Sequence, residues 1–300
     1  NYSEFYEARH FTSGKNKDGY VMIGEEEVPF GTEILFNCVN FENFSFAIEI
    51  CEDLWVPNPP STSHALAGAT VIANLSASDE TTGKDIYRTG LVSGQSARTL
   101  SAYIYADAGE GESTTDLVFA GHNIIAENGN ILSQSKRFEN QTIYADIDLD
   151  RLASERAKMT TFIPDEELSY EEVEVELEPI DFEVERVIDN APFVPSNTNE
   201  REKRCEEILS IQTMGLKKRL EHTNCKNAVV GISGGLDSTL ALLVTARAFD
   251  KLNLDRKGII AVTMPGFGTT DRTYTNAVSM IEKLGCTFKE VNISEATVLH

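Results

Sequence analysis

The sequence predicts an α/β protein of two layered units, and three observations carry that prediction. Short apolar runs alternate with segments of helical pattern through residues 46–147. A strongly acidic stretch punctuated by prolines interrupts the pattern at 155–197. Beyond it the order strand, glycine loop, helix repeats, which predicts successive right-handed βαβ units and a doubly wound parallel sheet. With 300 residues, 41% hydrophobic and 25% charged, the chain can bury two cores of ordinary size.

Residues 46–50, 69–73 and 102–106 are short, apolar and bounded by polar residues, as buried strands are. Between the last two, 87–100 sets Leu91, Val92 and Ala97 among Arg and Ser, a helix packed on a sheet. Residues 123–126 and 131–133 flank Asn128-Gly129, whose tolerance of positive φ suits a tight hairpin turn. Residues 141–147 read as a further strand, closing a layered unit near residue 150. In the acidic stretch Glu172, Glu174, Glu176 and Glu178 alternate with Val173, Val175 and Leu177, the period of an extended edge or linking strand. With Pro179, Pro192 and Pro195 it makes an interdomain connector, a solvated charge run rather than a metal site. Ile208, Ile211, Leu216 and Leu220 then recur at helical spacing within 200–221, an amphipathic helix. Strands at 228–232, 259–264 and 288–293 and helices at 239–249 and 271–284 complete the second unit.

Composition removes several classes of function. The 48 Asp and Glu against 26 Lys and Arg give a formal net charge of -22, which repels a phosphate backbone, so no nucleic-acid partner is expected. No apolar run approaches the roughly 20 residues that span a bilayer, and the acidic start lacks signal-peptide architecture, so no membrane partner and a cytoplasmic location are expected. Cys38, Cys51, Cys205, Cys225 and Cys286 are odd in number, scattered and never in a CxxC pair, which argues against a disulfide framework or a zinc site. The missing initiator Met and the helix-like final residues read as an internal piece of a longer protein.

Ser233-Gly234-Gly235-Leu236-Asp237-Ser238 lies where a parallel strand enters a helix. There unpaired backbone N–H groups and the helix dipole attract an anion. The glycines let the backbone approach a phosphate, and the Ser233 and Ser238 hydroxyls can donate to it. Asp237 beside phosphates calls for a bridging cation, Mg²⁺, which makes Asp237 the metal candidate and Mg·ATP the ligand. The same residues also suit a plain capped turn. Neither GxxxxGK[ST] nor GxGxxG occurs at the loop, which disfavours a Walker-type or standard dinucleotide site. Cys51 ends the first apolar strand, where a side chain can point into a cleft. A buried structural cysteine is the competing reading, because free Cys is commonly buried and the flanking acids oppose a thiolate.

SGGLDS after a buried strand resembles the pyrophosphate loop of ATP-dependent adenylating enzymes. EICEDLWVP, followed by ALAGATVIANLSAS and YADAGEGESTTDLVFAG, resembles the carbon–nitrogen hydrolase (nitrilase-type) amidase family, whose Cys nucleophile is served by Glu and Lys. Joined to SGGLDST and MPGFGTTDRTYTNA, the combination is similar to the large two-domain glutamine-dependent NAD synthetases. That resemblance implies a partial nitrilase-like α-β-β-α sandwich over 1–154, an acidic connector over 155–197 and a partial Rossmann-like doubly wound domain of the adenine nucleotide alpha hydrolase kind over 198–300.

It further implies that glutamine is hydrolysed through a thioester at Cys51. Ammonia then crosses an internal tunnel to a site where ATP adenylates deamido-NAD, and it displaces AMP to give NAD. Carried over by position, Tyr2, Glu52, Ser78 and Lys84 bind glutamine, Lys84 standing where relatives can carry Arg. The Glu52 backbone N–H joins an oxyanion site. Gly231, Ser233, Gly234, Gly235, Leu236, Asp237 and Ser238 form the ATP loop, and Met264 and Pro265 border adenine, with core packing as the alternative for Met264. Asp271 is read as a helix cap. The family's catalytic Glu and Lys fall outside these residues, so the piece alone is expected to be inactive. A homo-oligomer is implied, often an octamer in bacterial relatives. Another pyrophosphate-loop amidotransferase and a catalytically dead nucleotide-binding module are the rival readings.

Overall fold

In a computed structural model of the chain, seven strands of the first unit lie in one mixed sheet in the order Asn130–Gln134, Ile124–Glu127, Ala102–Asp107, Val71–Ser76, Ser45–Ile50, Ile34–Cys38 and Glu171–Val175. The structure describes residues 11–14, 17–112, 116–165, 167–178, 180–266 and 270–299. Its two compact units divide between Val187 and Ile188.

An exposed hairpin opens the first unit, β1 (Gly19–Ile23) with β2 (Glu26–Phe30), turning at Gly24 with φ +66°. The sheet proper begins with β3 (Ile34–Cys38), antiparallel to β4 (Ser45–Ile50). β4, β5 (Val71–Ser76) and β6 (Ala102–Asp107) run parallel at its centre. Helix α1 (Pro60–Leu66) follows β4, and α2 (Lys84–Thr99) connects β5 to β6. β7 (Ile124–Glu127) and β8 (Asn130–Gln134) form the expected hairpin, with positive φ at both Asn128 and Gly129.

Period-2 alternation assigns the two faces of this sheet. Ala47, Ile72, Tyr103, Tyr105 and Ile124 form one core together with Val92 of α2. On the opposite face Val71 and Ala102 bury against Leu152 of α3 (Leu149–Lys158). That second cover is partial: Ile48, Ile50 and Leu75 stay exposed. The described chain thus supplies one helical layer and one sheet of the expected sandwich.

Residues 141–147 are not a strand. They are held instead by side chains: Asn123 Nδ2 donates to the Gln141 carbonyl at 3.0 Å, and the Arg186 guanidinium donates to that of Asp146 at 3.2 Å. The apolar signal there is Ile147, which packs into the α3-side core. The stretch expected as a connector at 155–197 is in large part structure of the first unit. It completes α3 and supplies β9 (Glu171–Val175), the edge strand predicted from alternation, paired parallel to β3. Pro179 lies outside the described residues.

In the second unit β10 (Ala228–Gly231), β11 (Ile259–Thr263) and β12 (Thr287–Glu290) are parallel and adjacent in that order. Helix α4 (Thr198–Thr223) precedes them, and α5 (Leu236–Lys251) and α6 (Asp271–Leu284) make the crossovers. Leu242, Phe249, Ile259, Ala261, Ala277 and Ile281 share the core. The predicted apolar stripe of α4 is only partly used: Leu220 is buried, whereas Ile208 and Ile211 are exposed. Thr270 caps α6 by accepting from Thr273 N–H, and Asp271 is the first helical residue rather than the cap.

Candidate active sites

Each unit carries a cleft at the carboxyl ends of its parallel strands, where ligands of open α/β sheets bind. In the first, Ile50, Cys51, Asp53, Ser76, Asp107 and Glu112 line a cleft of about 730 Å³. Cys51 follows β4 directly and opens a 3₁₀ turn, Cys51–Trp55, fastened by Ile50 N–H donating to Asp53 Oδ2 at 2.9 Å. Its φ is +50°, a left-handed conformation that costs a non-glycine residue about 1–2 kcal/mol. All five cysteines are unpaired with one another.

The remaining predicted glutamine residues fare differently. Tyr2 lies outside the described residues. Glu52 follows Cys51 in the 3₁₀ turn. Ser78 is buried just past β5, its N–H donating to Asp107 Oδ1 at 3.1 Å and its Oγ accepting from Arg88 Nη2 at 3.5 Å. Lys84 is already engaged, 2.7 Å from Asp79 and over the Trp55 ring at 5.3 Å. A substrate carboxylate at Lys84 would therefore compete with Asp79.

Behind the cleft is a buried charge cluster that sequence reasoning missed. Arg88 is fully buried in α2, donating to Glu80 at 3.0 Å and to His122 Nδ1 at 2.9 Å, with Asp107 Oδ2 at 3.9 Å. Burial pushes the Asp107 carboxyl up to about 6, against the pull of Arg88. Burial, followed by the Arg88 charge, lowers the His122 imidazole, which keeps it neutral.

In the second unit Gly231, Ser233, Gly235, Met264 and Pro265 line a common cleft of about 470 Å³ with Thr273 and Tyr274. Met264 is 53% exposed, so it borders the cleft and is not core. The loop is self-bonded: Ser238 Oγ donates to the Gly235 carbonyl at 3.1 Å, and Ser233 Oγ accepts from Gly235 N–H at 3.3 Å. The serine hydroxyls thus hydrogen-bond within the turn. What it presents is backbone: the first intrahelical bond is Thr239 N–H to the Gly235 carbonyl, so the amides of Leu236, Asp237 and Ser238 precede the helical ladder. Gly234 has φ +81°, and a Cβ there would meet the Thr273 carbonyl oxygen at 2.2 Å. Asp237 is exposed in the first turn of α5. Among the described residues no group of three His, Cys, Asp or Glu could hold a metal ion. One carboxylate completed by ligand phosphates is the mode the loop allows, and it is an ordinary one for Mg²⁺.

The family model of carbon-nitrogen hydrolases matches residues 3–157. The chain belongs to the carbon–nitrogen hydrolase family. In this family member, residues 208–299 further match the NAD synthase model. Glutamine-dependent NAD(+) synthetases of Mycobacterium tuberculosis (strain ATCC 25618 / H37Rv) and Mycobacterium leprae are each 42% identical over 309 residues, 99% of this chain and 45% of the relative. That of Thermotoga maritima is 27% identical, covering 95% of this chain and 44% of its own. The chain thus spans about half the length of the curated relatives it matches. A solved glutamine-dependent NAD(+) synthetase from Cytophaga hutchinsonii aligns at TM-score 0.40 and 22% identity over 98% of this chain and 46% of that one. No helix among the described residues is long and apolar enough to cross a membrane.

Proposed function

We propose that this chain carries parts of both catalytic centres of a glutamine-dependent NAD synthetase. The observation that carries the reading is the pair of sites, a cysteine in a left-handed turn at one cleft and a glycine loop opening a helix at another, in a chain that aligns along 99% of its length with synthetases of that name.

In the first unit Cys51 Sγ attacks the glutamine carboxamide; the C–N bond breaks, ammonia leaves, and water hydrolyses the thioester to glutamate. The Cys51 N–H is committed to Asn74 Oδ1 at 3.0 Å, so the developing oxyanion depends on other donors, the Glu52 N–H among them. In the second unit the amides ahead of the α5 ladder hold ATP phosphates, Met264 and Pro265 border the base, and Asp237 would hold Mg²⁺, which neutralises phosphate charge. The nicotinate carboxylate of deamido-NAD takes AMP from ATP with loss of pyrophosphate, and ammonia displaces AMP to give NAD. We assign the protein to the cytoplasm and to a homo-oligomer.

The test uses the full-length protein. NAD formation from deamido-NAD and Mg·ATP is measured with glutamine or with ammonium, before and after Cys51→Ala. Loss of glutamine-driven synthesis with ammonium-driven synthesis retained is expected. Glutamine use unaffected by Cys51→Ala would make the cysteine structural, and no NAD from either source would refute the whole reading.

A further inference from the structure

The turn that carries Cys51 rests on a buried polar network that reaches beyond the Asn74 contact with the Cys51 N–H. Glu49, two residues earlier on β4, is 2% exposed, and its partners among the described residues are neutral donors. Ser61 N–H donates to Oε2 at 2.8 Å, Asn74 Nδ2 to Oε1 at 3.4 Å, and the Tyr103 hydroxyl closely to Oε1. Burial, then the Glu49 charge, raises the Tyr103 phenol far above its ordinary range, so it remains a donor. Asn74 is the register partner of Glu49 on the adjacent parallel strand and is 1% exposed.

The Asn74 amide grips both backbone groups of Cys51. Oδ1 accepts from Cys51 N–H at 3.0 Å, and Nδ2 donates to the Cys51 carbonyl at 3.3 Å. The amide orientation follows from its surroundings, because Nδ2 faces three acceptors: Glu49 Oε1, the Cys51 carbonyl and Tyr103 Oη at 3.1 Å. Glu49 and Tyr103 therefore fix which way Asn74 points, and Asn74 fixes the left-handed peptide of Cys51.

We propose that Asn74, oriented by Glu49 and Tyr103, is the positioning residue that holds Cys51 in its left-handed turn and presents its thiol to the cleft. The proposal rests on Cys51 being the glutaminase nucleophile. Its effect should fall on kcat, since a misplaced nucleophile lowers reactivity while leaving the substrate-binding groups in place.

The experiment compares the full-length wild type with Asn74→Ala, Asn74→Asp, the double variant Asn74→Asp/Glu49→Gln, and Cys51→Ala. Glutamine hydrolysis is resolved into kcat and KM, and ammonium-driven NAD synthesis is measured in parallel. Asn74→Ala is expected to lower kcat about 100-fold with KM nearly unchanged. Asn74→Asp keeps the acceptor for Cys51 N–H but sets a second carboxylate against Glu49. Adding Glu49→Gln removes one charge and supplies a donor, so the double variant should recover roughly tenfold in kcat over Asn74→Asp. Wild-type kcat in Asn74→Ala, or a change confined to KM, overturns the proposal. Where Asn74→Ala also loses ammonium-driven synthesis through misfolding, the double variant decides: recovery supports the proposal and none overturns it. Glutamine-driven synthesis surviving in Cys51→Ala refutes the underlying reading instead.

Discussion

Replacing Arg88 by Met removes a cation from between two buried carboxylates. Glu80 accepts from Arg88 at 3.0 Å and has Arg137 in reserve at 3.9 Å; Asp107, its side chain wholly buried, has Arg88 as its nearest charge partner at 3.9 Å. Breaking a buried pair from one side costs about 3–5 kcal/mol, because the surviving charge keeps its desolvation penalty and loses its compensation. The His122 Nδ1 acceptor also loses its donor. The loss should depend on pH in a defined direction. Asp107 is held up near 6 by burial while Arg88 pulls it down, so its carboxyl rises further in the variant. Above the variant's value both proteins carry the ionised group and the full deficit shows. As pH falls from there towards about 6 the variant's carboxyl protonates while the wild type's stays ionised beside Arg88, so the deficit shrinks across that window, and below about 6 both are protonated. Trp55, the one tryptophan in the sequence, lies with its ring tilted against Tyr87, centroids 5.3 Å apart, on the same helix as Arg88, and reports urea unfolding of this unit. A deficit below about 1 kcal/mol at pH 8, or one that does not shrink by pH 5, would refute the reasoning.

Gly234→Ala should abolish detectable Mg·ATP binding by the second unit, because the added methyl meets the Thr273 carbonyl at 2.2 Å in a φ of +81°; calorimetric titration checks it, with Gly90→Ala, where a Cβ meets nothing within 4 Å, as the control. His64, buried against Tyr170 and pushed down to about 4 by burial, stays neutral when folded but binds a proton near 6.5 when unfolded. Its contribution is therefore lost as pH falls from 6.5 to 4, and a His64→Gln variant should gain up to roughly 3 kcal/mol relative to wild type across that window in urea titrations.

Much of the fold was legible because its strands obey simple rules. The parallel strands β4, β5 and β6 are short apolar runs, and the β7–β8 turn was signalled by Asn128-Gly129. The strand misread at 141–147 shows the limit: the side chain of Ile147 is apolar, but nothing local says whether a backbone ladder exists to receive the segment. Of the sites, the glycine loop and the Met264-Pro265 edge were readable as motifs at strand ends, and they do share a cleft. The Arg88 cluster was not, since Arg88, Gln95, Ser96 and Thr99 give the buried face of α2 the look of a solvated one. Glu49 did leave a signal, an acidic residue on the buried side of an apolar strand, but its meaning depends on Asn74 across the register.

The pairing of β3 with β9 bears on how the chain is made. Ile34 meets Glu171 across the sheet, so the outer edge of β3 waits, during synthesis, for most of the first unit to emerge from the ribosome. Until then β3 offers an unsatisfied row of backbone groups to any extended segment nearby. The late-arriving partner closes that row with an exterior rich in glutamate, so the vulnerable interval ends in an edge whose like charges discourage two nascent copies from joining.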